Sequence, residues 1–433
     1  MEKPRLVRDW RGRPYLVGPD ARDLTGRPRN WMFWLPWAAM VAIAPLQYGY
    51  AAATPALITL RGGSALAALL PLAAWIVCQA VTAVPAIHLV RRGRLSPRGA
   101  LWAGAALSGA ALLAVAAAGG PPAVLIGYAL LGGAGGGLVY GVCTETVARW
   151  YPERPATRVG FVTGAYAYGA APLALVAGLD PHSLQPAFAV SAVIALAAVG
   201  VAAHFVRLPP PHWWPSEVDP RRHALDRLIL RRTPPAVRQF SMGQALRTGA
   251  LSRLAAILAC AGAVSLFDVV ALATAGKAAP WIALTLLITL NGAGRACAML
   301  VSERVGRRRV LGAVLALLGA GQLVLAAGLA ARSAPLVILG AVLAGAGGGA
   351  FYPLIAGLVR EFFGEERTAE IHGVVYSAKA VAGVLGIGLA ALPAISASPA
   401  AAFVLMAAVA LLSAAASLGL RVPGRPATLP TQV

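Results

Sequence analysis

Acidic residues are scarce in this chain: 16 Asp and Glu among 433 residues, against 37 Lys and Arg. Charged residues of both signs reach only 12%, about half of what a soluble domain of this length carries, so a water-soluble globular protein is excluded. Cysteine is sparse too. Cys78, Cys143, Cys260 and Cys297 all fall in apolar stretches with no CxxC pair, so no disulfide or metal site is expected. The loops GxxxxGK[ST], GxSxG and HExxH are missing, which leaves nucleotide-driven, hydrolase and protease chemistry without residues. Neither an enzyme nor a cofactor or metal is expected. A basic stripe with interleaved aromatics is also missing, so the formal charge of +21 does not indicate a nucleic-acid partner.

What the chain has is apolar length. Hydrophobic residues make up 58%, and mean hydropathy is +0.71. Charge-free runs of about 20 residues are long enough for a helix to cross ~30 Å of hydrocarbon. The 48 glycines fit close helix packing in a bilayer better than disorder. Spans are expected near 31–56, 65–90, 99–119, 122–148, 157–178, 185–206, 251–275, 280–301, 310–331, 335–359, 371–394 and 399–420. The first run is too long for a signal peptide. With the N-terminus inside, thirty-two Lys and Arg fall in inner segments and three (Arg61, Lys277, Arg332) in outer loops, as the positive-inside rule requires.

The expected fold is therefore an all-α membrane protein of twelve transmembrane helices, with both termini inside and the lipid bilayer as a partner. The domains are a tail (1–30), a six-helix half (31–207), a central loop (208–250), a second half (251–421) and a short tail (422–433). In the central loop, HWWP is expected at the membrane interface, and LDRLILRR as a short amphipathic helix. GAGGGLVY (133–140) in span four recurs as GAGGGAFY (345–352) in span ten, 212 residues later, each followed by an aromatic pair and a glutamate. A duplicated six-helix unit explains this better than chance. Such an architecture resembles the major facilitator superfamily, in which substrate sits near the midplane between halves.

Two cations break the apolar pattern. Lys379 lies nine residues into span eleven, and Arg295 eight residues before Glu303 at the inner end of span eight. At 1.5 Å per residue both are ~12–13 Å deep, where snorkelling fails and a charge costs several kcal/mol. Residues 83 and 167, their partners under the duplication, are alanines, so the repeat itself does not require the charges. Two cations at one depth suit a clamp for an anion, with Arg gripping a carboxylate by two parallel bonds. The competing reading is structural pairing with Asp268 or Glu145, although Glu145 sits four residues before Arg149 and suits a helical pair there. The expected site is a water-filled hollow that both cations face.

VSERVGRRR (301–309) fits the superfamily's inner loop motif, with Glu303, Arg304, Gly306 and Arg307 as its gating residues. The matching first-half stretch, AIHLVRRGR (86–94), has no acid, and His88 within it reads as a helix-end packing residue. GGGLVYGVCTETVARWYPERPATRVGFVTGAYAYGA (135–170), NGAGRACAMLVSERVGR (291–307) and VVYSAKAVAGVLG (374–386) together resemble the oxalate:formate antiporter family. The resemblance implies that Arg295 and Lys379 bind the two ends of a small dicarboxylate, with Gln47, Tyr48 and Tyr140 in the pocket. Gly345 and Gly349 align with cage aromatics of that family, which implies a roomier, wetter cavity and a larger anion or a monocarboxylate.

The expected function is exchange of small organic anions (carboxylates, oxalate- or formate-like) by alternating access, in a monomer of the cell inner (plasma) membrane. Proton-coupled monocarboxylate symport, with Asp268 as the coupling group, is the alternative. A non-transporting sensor or an anion channel is a third reading, of another class.

Overall fold

The computed structural model describes residues 5–10, 12–61, 64–117, 120–226, 230, 234–275, 280–392 and 397–424. The first apolar run is not one helix. It divides into α1 (Trp31–Ile43) and α2 (Tyr48–Arg61), joined by a 3-10 turn at Ala44–Leu46. Pro45 explains the break, since it lacks an N–H and its ring crowds the preceding turn. The Tyr128 hydroxyl donates to the Leu46 carbonyl (2.6 Å), satisfying an acceptor at the break.

Eleven further helices among the described residues are long and apolar enough to cross a membrane. Before the central loop come α3 (Ala65–Arg91), α4 (Pro97–Ala116), α5 (Val124–Trp150), α6 (Pro155–Leu179) and α7 (Pro181–Phe205). After it come α8 (Gly249–Thr274), α9 (Trp281–Val305), α10 (Arg307–Ala330), α11 (Ala334–Phe363), α12 (Thr368–Ala390) and α13 (Pro399–Leu418). Both recurring octapeptides lie at irregularities. In α5 a π-wound stretch, Val124–Gly132, runs up to Gly133, and α11 is interrupted at Gly349–Ala350.

The chain is not purely helical. The tail strands β1 (Arg5–Arg8) and β2 (Pro14–Val17) pair antiparallel, and β3 (Trp213–Trp214) from the central loop adds in parallel to β2. This corrects the expectation for HWWP. Trp213 and Trp214 are buried, the first donating to the Pro19 carbonyl and the second to that of Val218. Two adjacent indoles with protein carbonyls in reach gain more from packing than from a lipid interface. Of LDRLILRR, Leu225 ends the helix Pro220–Leu225 and Leu230 is helical, while residues 227–229 and 231–233 lie outside the described residues.

Two seams join the N-terminal helices to the C-terminal ones, α6 against α9 and α3 against α12. Along the first, a Cβ on Gly164 would sit 2.5 Å from the Gly292 carbonyl oxygen, and one on Gly178 2.5 Å from Trp281 Cβ. Along the second, a Cβ on Gly373 would meet Val84 at 2.5 Å, and one on Gly383 would meet Ile76 at 2.7 Å. Small residues let the backbones approach this closely. The helices of each seam are in contact at each of these glycines.

Candidate functional site

The break after α1 places Gln47 and Tyr48 at the middle of the bundle, where both are buried. Arg295 on α9 and Lys379 on α12 come to the same region, 3% and 4% exposed. Arg295 donates through Nη1 to the Thr163 carbonyl (2.9 Å), and through Nη2 to the Tyr48 hydroxyl (3.0 Å) and Asn291 Oδ1 (2.9 Å). Its Nε–H has no acceptor among the described residues. Lys379 Nζ donates to Gln79 Oε1 (2.8 Å) and Gln47 Oε1 (3.2 Å).

Tyrosines line the space between them. Tyr140, Tyr166 and Tyr376 have ring centroids 6.0, 5.7 and 5.7 Å from Lys379 Nζ, and Tyr352 lies 5.3 Å from the Arg295 guanidinium. Tyr48 packs edge-on to Tyr166 (6.0 Å), linking the surroundings of the two cations. The Tyr166 hydroxyl also donates to Gln47 Oε1 (3.0 Å). Neither cation is paired with a carboxylate among the described residues; all their hydrogen-bond acceptors are neutral oxygens. The tyrosine faces offset part of the cost of burying the two cations, and the pair of charged donors suits a small anion.

Among the described residues the two cations do not open onto a water-filled hollow, Arg295 being 3% and Lys379 4% exposed. Beside Gln47 and Tyr48 a cavity of about 10 Å³ remains, room for about one water, with Ile76, Leu266 and Val270 on its walls. The roomier cavity expected from Gly345 and Gly349 is likewise corrected. A Cβ on Gly345 would lie 2.6 Å from the Leu287 carbonyl oxygen, and Gly349 abuts Asn291. These glycines bring α11 against α9 instead of widening the site, and Tyr352 on α11 supplies an aromatic ring beside Arg295.

Of the other expected site residues, Tyr140 stacks on Tyr376 with centroids 5.8 Å apart. Asp268 is buried but not brought to the cations. Its Oδ2 accepts from Gln322 Nε2 on α10 (2.7 Å), and its Oδ1 has no hydrogen-bond partner among the described residues. Glu303 accepts a hydrogen bond from Thr157 Oγ1, tying α9 to α6 at the inner end. Arg304 is exposed, Gly306 turns between α9 and α10 at φ 99°, and Arg307 pairs with Glu361. The positive φ explains the glycine.

Sequence reasoning missed Gln79, Asn291, Tyr166, Tyr352 and Tyr376. A signal was present for two of them: Gln79 is an amide in an otherwise apolar helix, and Asn291 stands one turn before Arg295. It is weak, because Gln322 is equally anomalous and lies elsewhere. Two further inner ties were not foreseen. Glu145 pairs with Arg149 as expected and also with Arg91 (2.9 Å), so the acid missing from the 86–94 stretch comes from α5. His88 and Arg92 approach Glu370 on α12 (3.8 and 3.9 Å), across the second seam. Below the helices the tail touches both groups: Arg29 pairs with Glu153 (2.7 Å) and Arg13 with Glu365 (3.1 Å).

Residues 273–432 match the family model described as Major Facilitator Superfamily. The chain shares its fold with the human organic anion transporter MFSD10 (TETRAN), at TM-score 0.61 and 16% identity over 90% of this chain and 100% of that one. The inward open xylose transporter XylE from E. coli gives a TM-score of 0.64 at 14% identity, over 90% and 96%. A curated sequence, the uncharacterized 38 kDa protein in the 23S RNA operon of Thermoproteus tenax, is 27% identical over 293 residues, 67% of this chain and 69% of its own. The chain thus shares the fold of these transporters over nine-tenths of its length, and its C-terminal helices match the superfamily's model.

Proposed function

We propose that this protein is a secondary active transporter that exchanges small organic anions by alternating access. One observation carries the reading: among the described residues, two buried cations at the centre of the bundle have only neutral oxygens for acceptors, and one guanidinium N–H has none. Fold does not choose the cargo, since relatives of this fold include an organic anion transporter and a xylose transporter. The charge of the site does. A carboxylate placed between Arg295 and Lys379 offsets both charges, whereas a cationic or neutral cargo leaves them uncompensated.

In this reading α1 and α2 act as one broken crossing, giving twelve in all, with residues 31–207 and 251–421 as the moving halves and both termini inside. Opening either way parts the α6–α9 and α3–α12 seams at one end while the other end stays closed. A bound anion lowers the cost of closing around two cations, which favours exchange over net movement. With the glycines of α11 used for packing, the site suits a carboxylate of a few carbons, as the resemblance to oxalate:formate antiporters also suggests. The protein acts as a monomer in the cell membrane.

Melting temperatures of the purified protein with oxalate, succinate, acetate and xylose test the assignment. Stabilisation by a carboxylate and not by xylose is expected. Stabilisation by xylose alone refutes it.

A further inference from the structure

We infer that Gln47, Gln79 and Asn291 are the carrier's own stand-ins for substrate, and that they set how readily it returns across the membrane without an anion. The inference rests on the anion-carrier reading and adds a role for three amides within it. Lysine and arginine only donate, so the atom each amide turns toward them must be its oxygen. The other ends hold that orientation. Gln79 Nε2 donates to the Tyr376 hydroxyl (3.4 Å), Asn291 Nδ2 donates to Ser265 Oγ (3.1 Å), and Gln47 Oε1 also accepts from Tyr166.

The placement matters as much as the bonds. Gln47 and Gln79 belong to the N-terminal helices and reach Lys379 on α12, across the seam that parts during opening. Amide oxygens therefore complete the cation's bonds where it is buried between the two groups of helices. An unpaired cation would resist such burial; an amide dipole relieves part of that cost and a carboxylate more of it. The stand-ins thus permit an anion-free crossing, slower than the loaded one. An arriving carboxylate takes over the same donors and releases the amides.

The test uses the full protein in liposomes loaded with radiolabelled oxalate. Efflux into oxalate-free buffer reads net movement, and efflux into oxalate reads exchange. In Gln79→Leu the ratio of net efflux to exchange should fall about tenfold or more, the loss expected for one hydrogen bond to a buried charge. An unchanged ratio overturns the inference. In Gln79→Glu a carboxylate is fixed beside Lys379, so oxalate should no longer raise the melting temperature of the folded variant. Stabilisation of wild-type size there also overturns it. Wild-type protein that moves no oxalate in either assay defeats the transport reading and the inference together, whereas wild-type flux with normal Gln79 variants defeats the inference alone.

Discussion

Replacing Lys379 by methionine separates a binding charge from a structural one. The side chain keeps its length, and the site loses its ammonium. Two terms then act on the fold. Gln79 Oε1 loses its donor, at about 1–3 kcal/mol for a stranded acceptor, while Gln47 Oε1 keeps the Tyr166 hydroxyl. Against this, a buried cation that carries a desolvation penalty of several kcal/mol is gone. The terms nearly cancel, so the melting temperature should stay within a few degrees of wild type. Anion affinity has no such compensation. A carboxylate about 4 Å from the ammonium gains about 4 kcal/mol at an effective dielectric of 20, and losing that weakens binding about a thousandfold. The measurement is a carboxylate titration followed by thermal shift, with liposome flux on the same preparation. Lost flux with unchanged stability is the expected result, and Lys379→Ala should behave alike in flux. Normal flux refutes the site. A steep fall in melting temperature with binding intact would make Lys379 a structural group.

Three other variants probe separate parts of the molecule. Arg295→Lys keeps the charge, but one ammonium cannot serve the Thr163 carbonyl, Tyr48 and Asn291 at once. Carboxylate affinity by thermal shift should drop about tenfold or more, and equal affinity would show that charge alone suffices. Glu145→Gln removes the acid shared by Arg91 and Arg149 and should cost about 2 kcal/mol, more than Arg91→Ala, which leaves one pair intact. Denaturant unfolding in detergent checks the order. At Glu365, burial acts to raise the carboxyl's pKa, but Arg360 and Arg13 outweigh it and hold the group below its ordinary value. Its contribution is complete above the unfolded-chain value of about 4.3 and disappears as pH falls through the lower folded value. The melting-temperature gap between wild type and Glu365→Gln should therefore be flat from neutral pH down to about 5 and shrink on further acidification. A gap that widens in acid refutes this.

The sequence made the two buried cations legible because a charge in an apolar run has no local excuse. Periodicity could not show how those charges are satisfied. Gln79 lies 300 residues from Lys379, and Gln47 lies 332 away, so their meeting is a property of tertiary packing alone. The close packing around the cations has the same origin. Gly345 and Gly349 looked like lost bulk when compared with aromatic cage positions, but a glycine also brings helices together, and sequence gives no sign of which effect wins. The break at Pro45 was readable in principle from the proline, yet apolar length alone merged α1 and α2 into one run. The tail sheet escaped notice because Trp213 and Trp214 carry an interfacial signature that two carbonyl acceptors and a neighbouring strand override.

The helix ends that carry the basic clusters repeat a contact as well as a stretch of sequence. Arg91 bonds Glu145, and Arg307 bonds Glu361; in both pairs the partners stand 54 residues apart. The second pair follows the first by 216 residues (Arg91 to Arg307, Glu145 to Glu361), one helical turn beyond the 212-residue spacing of the octapeptides. A one-turn slip keeps side chains on the same helix face while moving them along it. The latch can therefore persist in both halves although only VSERVGRRR carries the motif's acid. That acid, Glu303, is left for Thr157 across the seam. One half uses its acid within the half, and the other has a spare one to hold the two halves together. The asymmetry that puts both cations among the C-terminal helices thus extends to the inner closure. Thr157→Val should loosen the seam without weakening either Arg–Glu pair. It would be seen as faster deuterium labelling of the backbone amides of α6 and α9 around Thr157 and Glu303, with unfolding stability nearly unchanged. Equal labelling in the two backgrounds would show that the Thr157–Glu303 bond holds nothing shut.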